Sequence, residues 1–461
     1  MNLRSIYLVF SLFFFSTSFG NGHLKNVITP PDSTSSIVDK SVAIVMLEEG
    51  KRLFSEGKVR DALNQFRSVV QKDPNNWRPF YWIGVCHYSM SNYGFALKYA
   101  NDALKINSPR IEEEVFELLG KSYHQLGRLD SAIINYEDVL TKISPSRAKD
   151  LGINWRIEQC KYAQALKASG EKPARVRLKG EINTGYNEYS QLLSADGKTL
   201  YFTSRRSDTK GGKANPDDQE YFEDTYRSIW NDETQMWDSI TNGIDRVNSD
   251  GFDSFSHLSS DGLSALMTIN TSLLNSDKAT NSSDIFELFF SNKGKWSTPK
   301  RIKNKTINTS FFEGSPTMTA DGNTLYFVSD RNGQKKSTDI YVARKVDKVW
   351  GDAVPLSDTI NSEGTETTPF VTPDGRYLFF SSDGHLGMGG LDVFVSENLG
   401  DSWSKPVNLG IRINSVNNDT HFKYYPELQK AVLSGFEIVG QKSSIDMYEI
   451  DMTGFEYPVL K

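Results

Sequence analysis

Cysteine is almost missing from this chain: two residues in 461, Cys86 and Cys160. Two thiols cannot staple a small secreted scaffold, so disulfide density is excluded as the source of stability. Both fall in apolar stretches of helical pattern and read as small core residues. No His with Asn or Asp accompanies either one, as a catalytic thiol would need. Histidine is scarce as well, with six copies. Positive charge is not in excess: Lys and Arg number 52 against 58 Asp and Glu, a net charge of −6. That balance matches a polyanion poorly and argues against nucleic acid as a partner. The pronounced apolar run, Ile6 to Phe15, is too short to span a bilayer, so no membrane span is expected. No Gly-x-Ser-x-Gly elbow marks a serine hydrolase. Gly387-Met388-Gly389-Gly390 lacks the strand-to-helix context of a phosphate loop.

What is present begins with an export signature. Arg4 precedes the apolar run, and Ser18-Phe19-Gly20 supplies small residues for a signal peptidase. Residues 1–20 are expected to be a signal peptide, and 21–41, rich in Pro, Ser, Thr and Asp, a flexible leader. From Val42 apolar residues recur at spacings of three and four, the helical period. Gly50, Gly84 and Gly120 are each followed twelve residues later by Ala62, Ala96 and Ala132, and four further on by Phe66, Ala100 and Tyr136. Pro74, Pro109 and Pro145 stand near the ends of the units. Small residues suit the crossing of two helices, with the larger ones filling the space beside it. Asp150 to Ser169 carries Ile153, Ile157, Cys160 and Ala163 on one face and reads as a capping helix, which an open solenoid end requires. Residues 42–170 therefore form three helical hairpins plus a cap.

From Arg175 the period becomes strand-like. Asp-Gly recurs at Asp196, Asp261, Asp321 and Asp374, with Pro426-Glu427 in the fifth place. Each precedes an apolar triplet such as Leu200-Tyr201-Phe202 or Leu378-Phe379-Phe380. An Asp-x-aromatic triplet follows at Asp224, Asp284, Asp339, Asp392 and Asp446, then a Trp in four copies: Trp237, Trp296, Trp350 and Trp403. Phe455 with Pro458 is the fifth. Linking asparagines at 183, 248, 308, 361 and 414 lie 65, 60, 53 and 53 residues apart. Each unit holds four short strands and three turns, which is a propeller blade. Residues 175–461 are expected to form a β-propeller of five blades, or six if the two ends build more than one shared strand.

The functional candidates follow from the same register. Five residues after each linking Asn is an acid: Glu188, Asp253, Glu313, Glu366 and Asp419. At the start of the innermost strand, five carboxylates could ring a channel mouth and take a cation or the amine of a partner peptide. The alternative is that each caps nearby backbone or pairs with an Arg, for which Arg205, Arg206 and Arg331 are placed in two blades. Long loops at Ser207–Glu223 and Thr271–Ser283, with linker aromatics Tyr186, Phe252, Phe311 and Phe312, mark one face for partner contact. His257 and His421 lie on innermost strands and could face the channel, a weak pattern for a metal. No metal, cofactor or catalytic set is expected.

The helical units resemble the tetratricopeptide repeat, and the blades resemble the TolB-type propeller repeat, a relative of the WD repeat. Signal peptide, tetratricopeptide repeats and propeller in this order look like a group of cell-envelope proteins in Bacteroidota. Several of those continue into an OmpA-type peptidoglycan-binding domain. Here the last strand ends the sequence, so that anchoring is not carried over. The resemblance implies a non-catalytic periplasmic or outer-membrane-associated adapter that binds other envelope proteins or peptides, in secretion, gliding or envelope assembly. A propeller lyase or glycosidase, or a carbohydrate- or peptide-sensing module, is the other reading. If residues 1–20 act as a signal, the exported chain starts at or within a few residues of Asn21; intact-mass measurement of the exported protein checks this, and a retained N-terminus counts against it.

Overall fold

The computed structural model describes residues 36–106, 112–212, 214–215, 220–270, 282–332, 337–439 and 442–456. The signal-peptide segment, Pro109, Pro458 and nearly all of the 271–283 loop lie outside the described residues. Two compact units result, one of helices and one of strands, and each is taken by itself.

The helical unit contains α1 (Ile37–Ser55), α2 (Val59–Lys72), α3 (Trp77–Ser89), α4 (Tyr93–Lys105), α5 (Glu113–Gln125), α6 (Leu129–Leu140), a short α7 (Pro145–Asp150) and α8 (Ile153–Ala168). α1 begins five residues before the expected start. Ser36 caps it by accepting a hydrogen bond from the Asp39 backbone N–H at 3.0 Å, which the leader's Ser-rich composition concealed. Each hairpin is closed by the small-residue crossing read from the repeat. A β-carbon at Gly120 would sit 2.6 Å from the Tyr136 ring, and one at Gly50 would collide with Phe66. Ala62, Ala96 and Ala132 are fully buried. Pro145 does not end a helix; it occupies the first turn of α7, where its missing N–H costs nothing. The capping face of α8 buries Ile153, Ile157, Cys160 and Ala163, and both cysteines are free and buried, as small core residues. No described helix is long and apolar enough to cross a membrane.

The strand unit opens with β1 (Arg175–Arg177). Its first blade is β2 (Glu188–Leu193), β3 (Thr199–Ser204), β4 (Asp224–Asn231) and β5 (Met236–Thr241). The second is β6 (Phe252–Leu258), β7 (Ser264–Asn270), β8 (Asp284–Phe289) and β9 (Lys300–Arg301). The third is β10 (Glu313–Met318), β11 (Thr324–Ser329) and β12 (Asp339–Val346), with β13 (Val349–Trp350) and β14 (Val354–Pro355) both on β12. The fourth is β15 (Glu366–Val371), β16 (Tyr377–Ser382), β17 (Asp392–Glu397) and β18 (Val407–Asn408). The fifth is β19 (Asp419–Tyr425), β20 (Lys430–Val439) and β21 (Lys442–Asp451), and its outermost strand is β1. The propeller has five blades, and it closes by pairing Arg175 with Ile450 and Arg177 with Tyr448.

Blades pack face to face through the recurring aromatics. Trp296 lies against Tyr201 and Phe255, with ring centroids 6.2 and 5.5 Å away, and Trp403 lies 6.0 Å from Tyr326. Trp237 shares a core with Val432 and Met447 of the fifth blade. Each of these tryptophans meets the preceding blade, as expected of a wedge between sheets.

The linking asparagines make a second tie. Each side-chain oxygen accepts the backbone N–H of the residue after the Asp of the preceding blade's Asp-x-aromatic triplet, at 2.7–2.9 Å. Each side-chain amide donates to that same residue's carbonyl, at 2.9–3.1 Å. Asn308, for example, clasps Ile285 in this way and also donates to the Ile302 carbonyl at 3.0 Å. Asn183 clasps Met447 and so joins the first linker to the last blade. Removing such a side chain leaves a buried N–H without its acceptor. Asn308→Ala is expected to cost about 2–3 kcal/mol, measured as a lower denaturant midpoint of the propeller transition at unchanged slope. A loss below experimental error would show that the clasp is dispensable.

Candidate functional site

The five linker acids start the innermost strands, as their spacing implies, but they do not present themselves to a channel mouth. All five are fully buried. Each turns back on the Ser or Thr that follows its linking Asn. Glu188 accepts from the Thr184 N–H at 2.9 Å and its hydroxyl at 2.6 Å. Asp253 does so with Ser249 at 2.7 and 2.7 Å, and Glu313 with Thr309 at 2.7 and 2.6 Å. Glu366 binds Ser362 at 2.8 and 2.5 Å, and Asp419 binds Ser415 at 2.5 and 2.9 Å. In three blades the hydroxyl that ends the second strand pairing opposite the acid also donates: Ser204, Ser329 and Ser382 at 3.0, 2.9 and 2.7 Å. Of the two readings of these acids, this geometry is the one in which each carboxylate caps the nearby linker backbone. An Asn-Ser/Thr pair followed four residues later by an acid folds the linker into a closed polar box, and the carboxylate is spent inside it.

The charge that balances the box differs from blade to blade. Arg206 reaches Glu188 at 3.3 Å and Arg331 reaches Glu313 at 3.1 Å. Both guanidiniums also donate to linker carbonyls: Arg206 to Glu181 and Ile182, Arg331 to Thr306 and Ile307. Arg205 does not join them; it is buried and donates to the Tyr221 carbonyl at 2.7 Å. Asp419 takes its cation from Arg175 on β1, at 2.5 Å. That partner lies 244 positions away in the chain, which is why spacing did not reveal it. In the fourth blade His385 follows the second strand, as Arg206 and Arg331 do in the first and third. Its Nε2 bonds the Ile360 carbonyl at 2.8 Å.

The linker aromatics separate in the same way. Phe252 is buried against Phe222, centroids 5.0 Å apart, and Phe312 packs into the core of the third and fourth blades. Tyr186 is half-buried against Tyr221 at 6.1 Å. Phe311 alone of the four is exposed, at 45 %. The described start of the 207–223 loop is pinned to its own blade: the Lys210 N–H donates to Asp224 and its Nζ to the Asn248 carbonyl, both at 2.6 Å. Of the four linker aromatics, only Phe311 is exposed, and Tyr186 is half-buried. Among the described residues no three His, Cys, Asp or Glu side chains converge as a metal set, and His257 and His421 stand without carboxylate company. The role of the linker Ser and Thr residues, and of Lys423 on β19, escaped the sequence reading, although the Asn-Ser/Thr pair recurs in every linker.

No family model matches the chain. It is 26 % identical over 155 residues to the human DnaJ homolog subfamily C member 3, a match covering 33 % of this chain and 28 % of that protein. Among solved structures, a protein described as a TolB of Agrobacterium tumefaciens is 18 % identical, with a TM-score of 0.35, over 59 % of this chain and 80 % of the other. The first tetratricopeptide domain of human RPAP3 is 21 % identical, with a TM-score of 0.25, over 28 % of this chain and 97 % of the other. The chain spans little more than a quarter of the length of the curated relative it matches. At these levels the likenesses bear on neither partners nor individual residues.

Among the described residues no ion pair reaches Asp253 or Glu366. Burial pushes the Asp253 and Glu366 carboxyls up to about 7, against the opposing hydrogen bonds of Ser249 and Ser362. Asp253 Oδ1 has no hydrogen-bond partner among the described residues. A carboxyl whose folded pKa is raised binds more protons folded than unfolded, so its contribution to stability falls as pH rises from about 4 to about 7 and is flat above. In Asp253→Asn that slope disappears. Relative to wild type, the variant is expected to gain about 2 kcal/mol of propeller stability between pH 5 and pH 7, read from denaturant midpoints at each pH. Parallel pH profiles for the two proteins would remove Asp253 as a titrating group.

Proposed function

We propose that this chain is a non-catalytic adapter of the bacterial cell envelope, exported by its N-terminal signal and binding other envelope proteins or peptides through both repeat units. The Bacteroidota group that its domain order resembles supports a periplasmic or outer-membrane-associated place. A role in secretion, gliding or envelope assembly follows from the same resemblance. The polar residues that recur in the repeats are committed to hydrogen bonds within the fold, which is what a scaffold needs of them.

The observation that carries the reading is on α1. Ile37, Val38, Ile44 and Val45 are 86, 72, 61 and 70 % exposed, and Val42 is 42 % exposed. Aliphatic residues gathered on one helix at such exposure mark a contact surface. The opposite face of α1, carrying Ala43, Leu47 and Gly50, is the one that packs the hairpin. A helix or strand of a partner with an apolar face would cover the exposed stripe.

The test is an affinity pulldown from envelope extract with the exported chain and with a Val38→Glu, Val45→Glu double variant. Partners retained by the wild type and lost by a variant of unchanged helical content support the adapter. Equal recovery by the two, or stoichiometric zinc or manganese in the purified protein that disappears on replacing His257 and His421, overturns it.

A further inference from the structure

The propeller's centre holds a charge that the blade boxes do not use. The residue four places after each linker acid pairs with the middle residue of the neighbouring apolar triplet: Leu192 with Tyr201, His257 with Leu266, Thr317 with Tyr326, Phe370 with Phe379 and Lys423 with Val432. The five positions are therefore equivalent, yet they bring an aliphatic chain, an imidazole, a hydroxyl, a benzyl ring and an ammonium to one level of the innermost strands. Lys423 is 4 % exposed. Its Nζ donates to the Ser256 carbonyl at 3.1 Å and lies 5.5 Å from the Phe370 ring centre. Ser256 belongs to the second blade and Lys423 to the fifth, which are not neighbours in a ring of five. The bond therefore crosses the central channel.

An ammonium has three donors, and the described structure occupies one of them. No described carboxylate pairs with it: Asp253 and Asp419, the acids of the two strands it joins, are closed into their boxes. The other titratable groups on the innermost strands at this level are His257, His421 and Tyr189. His257 makes no hydrogen bond to a described residue, while His421 Nδ1 meets the Thr420 hydroxyl at 3.0 Å, and its ring lies 5.6 Å from Tyr189. β10 and β15 bring Thr317, Thr368 and Phe370 to this level, and their ionisable residues, Glu313 and Glu366, are closed into the linker boxes. Both imidazoles are only half-buried, so this level is reachable from solvent. A cation held in so enclosed a place without a counter-charge is costly, and an anion that accepts its free N–H groups relieves that cost.

We infer that the central channel contains a carboxylate-binding site, with Lys423 Nζ as the charge, the His257 and His421 rings as neutral donors, and Phe370 as its apolar wall. One ammonium matches the single charge of a carboxylate; a phosphate dianion would call for more cations. The carboxylate is that of a small organic acid or of a peptide C-terminus. Enclosure keeps Lys423 down at about 7 and both histidines at about 3, so the imidazoles are neutral at physiological pH and each has an N–H to offer. The site rests on the channel and not on the α1 surface that the pulldown tests, so the two can fail separately; a peptide terminus as its ligand would deepen the adapter reading.

The experiment is a titration of the exported chain, with lysine Cε and Nζ isotopically labelled, by acetate, by a short peptide with a free C-terminus and by its C-terminal amide. Lys423 is identified by comparison with Lys423→Met. Millimolar acetate is expected to shift the Lys423 signals saturably and raise their titration midpoint, with chloride at equal ionic strength doing neither. Binding by acetate assigns a small acid; binding by the free-acid peptide without acetate assigns a peptide terminus. No saturable shift with either, an equal response to chloride, or equal binding of the amide overturns the site. If Lys423→Met does not fold, the lysine whose signals titrate near neutral pH identifies the group. Acetate is then expected to raise the thermal midpoint of wild type and not of His257→Ala, and an equal rise in both overturns the site.

Discussion

The propeller depends on how a short polar linker is closed. Each blade-to-blade crossing is Asn-Ser/Thr followed four residues on by an acid, and it must be buried for the innermost strands to meet. Burying a backbone that is neither helix nor ladder requires substitutes for the missing hydrogen bonds. The asparagine amide supplies them on one side by clasping the third strand of the preceding blade. The acid supplies them on the other by accepting from the linker itself. Thus one motif both ends a blade and begins the next, and the tryptophans fill the space that remains between the sheets.

Closure of the ring uses the same parts with one substitution. The last clasp is made by the first linker, through Asn183 on Met447, and the missing outer strand is given by β1 from the front of the propeller. Arg175 on that strand then reaches Asp419, standing in for the arginines that follow the second strand in the first and third blades. The chain ends are held by pairing and by charge together. Where no described ion pair reaches the acid, at Asp253 and Glu366, the carboxyls are pushed toward neutrality, which is the other way to bury an acid.

Regularity in the boxes contrasts with irregularity at the channel. Residues that serve the fold repeat in every blade, and those that could serve a ligand do not. Lys423 and His257 occupy equivalent places as Leu192 and Phe370, and no packing reason demands an ammonium among them. On α1 the packed face carries the small residues of the repeat, while the exposed face carries aliphatics that the hairpin does not need.

Repetition made much of this legible in advance. The three hairpins, the cap on α8 and the blade count follow from residues recurring at fixed intervals, because local turns and sheet periods read out directly in spacing. At the acids the same regularity left two readings open: one copy per blade looks alike whether it lines a channel or closes a linker, and the hydrogen bonds of Thr184, Ser249 and their counterparts appear only in the folded chain. The tertiary structure alone placed Arg175 beside Asp419 across 244 residues, buried Phe252, packed Phe312 against a core, and carried Lys423 over the channel to Ser256. Sequence determines what repeats; contacts between distant blades have no spacing to read, so they appear only once the ring is closed.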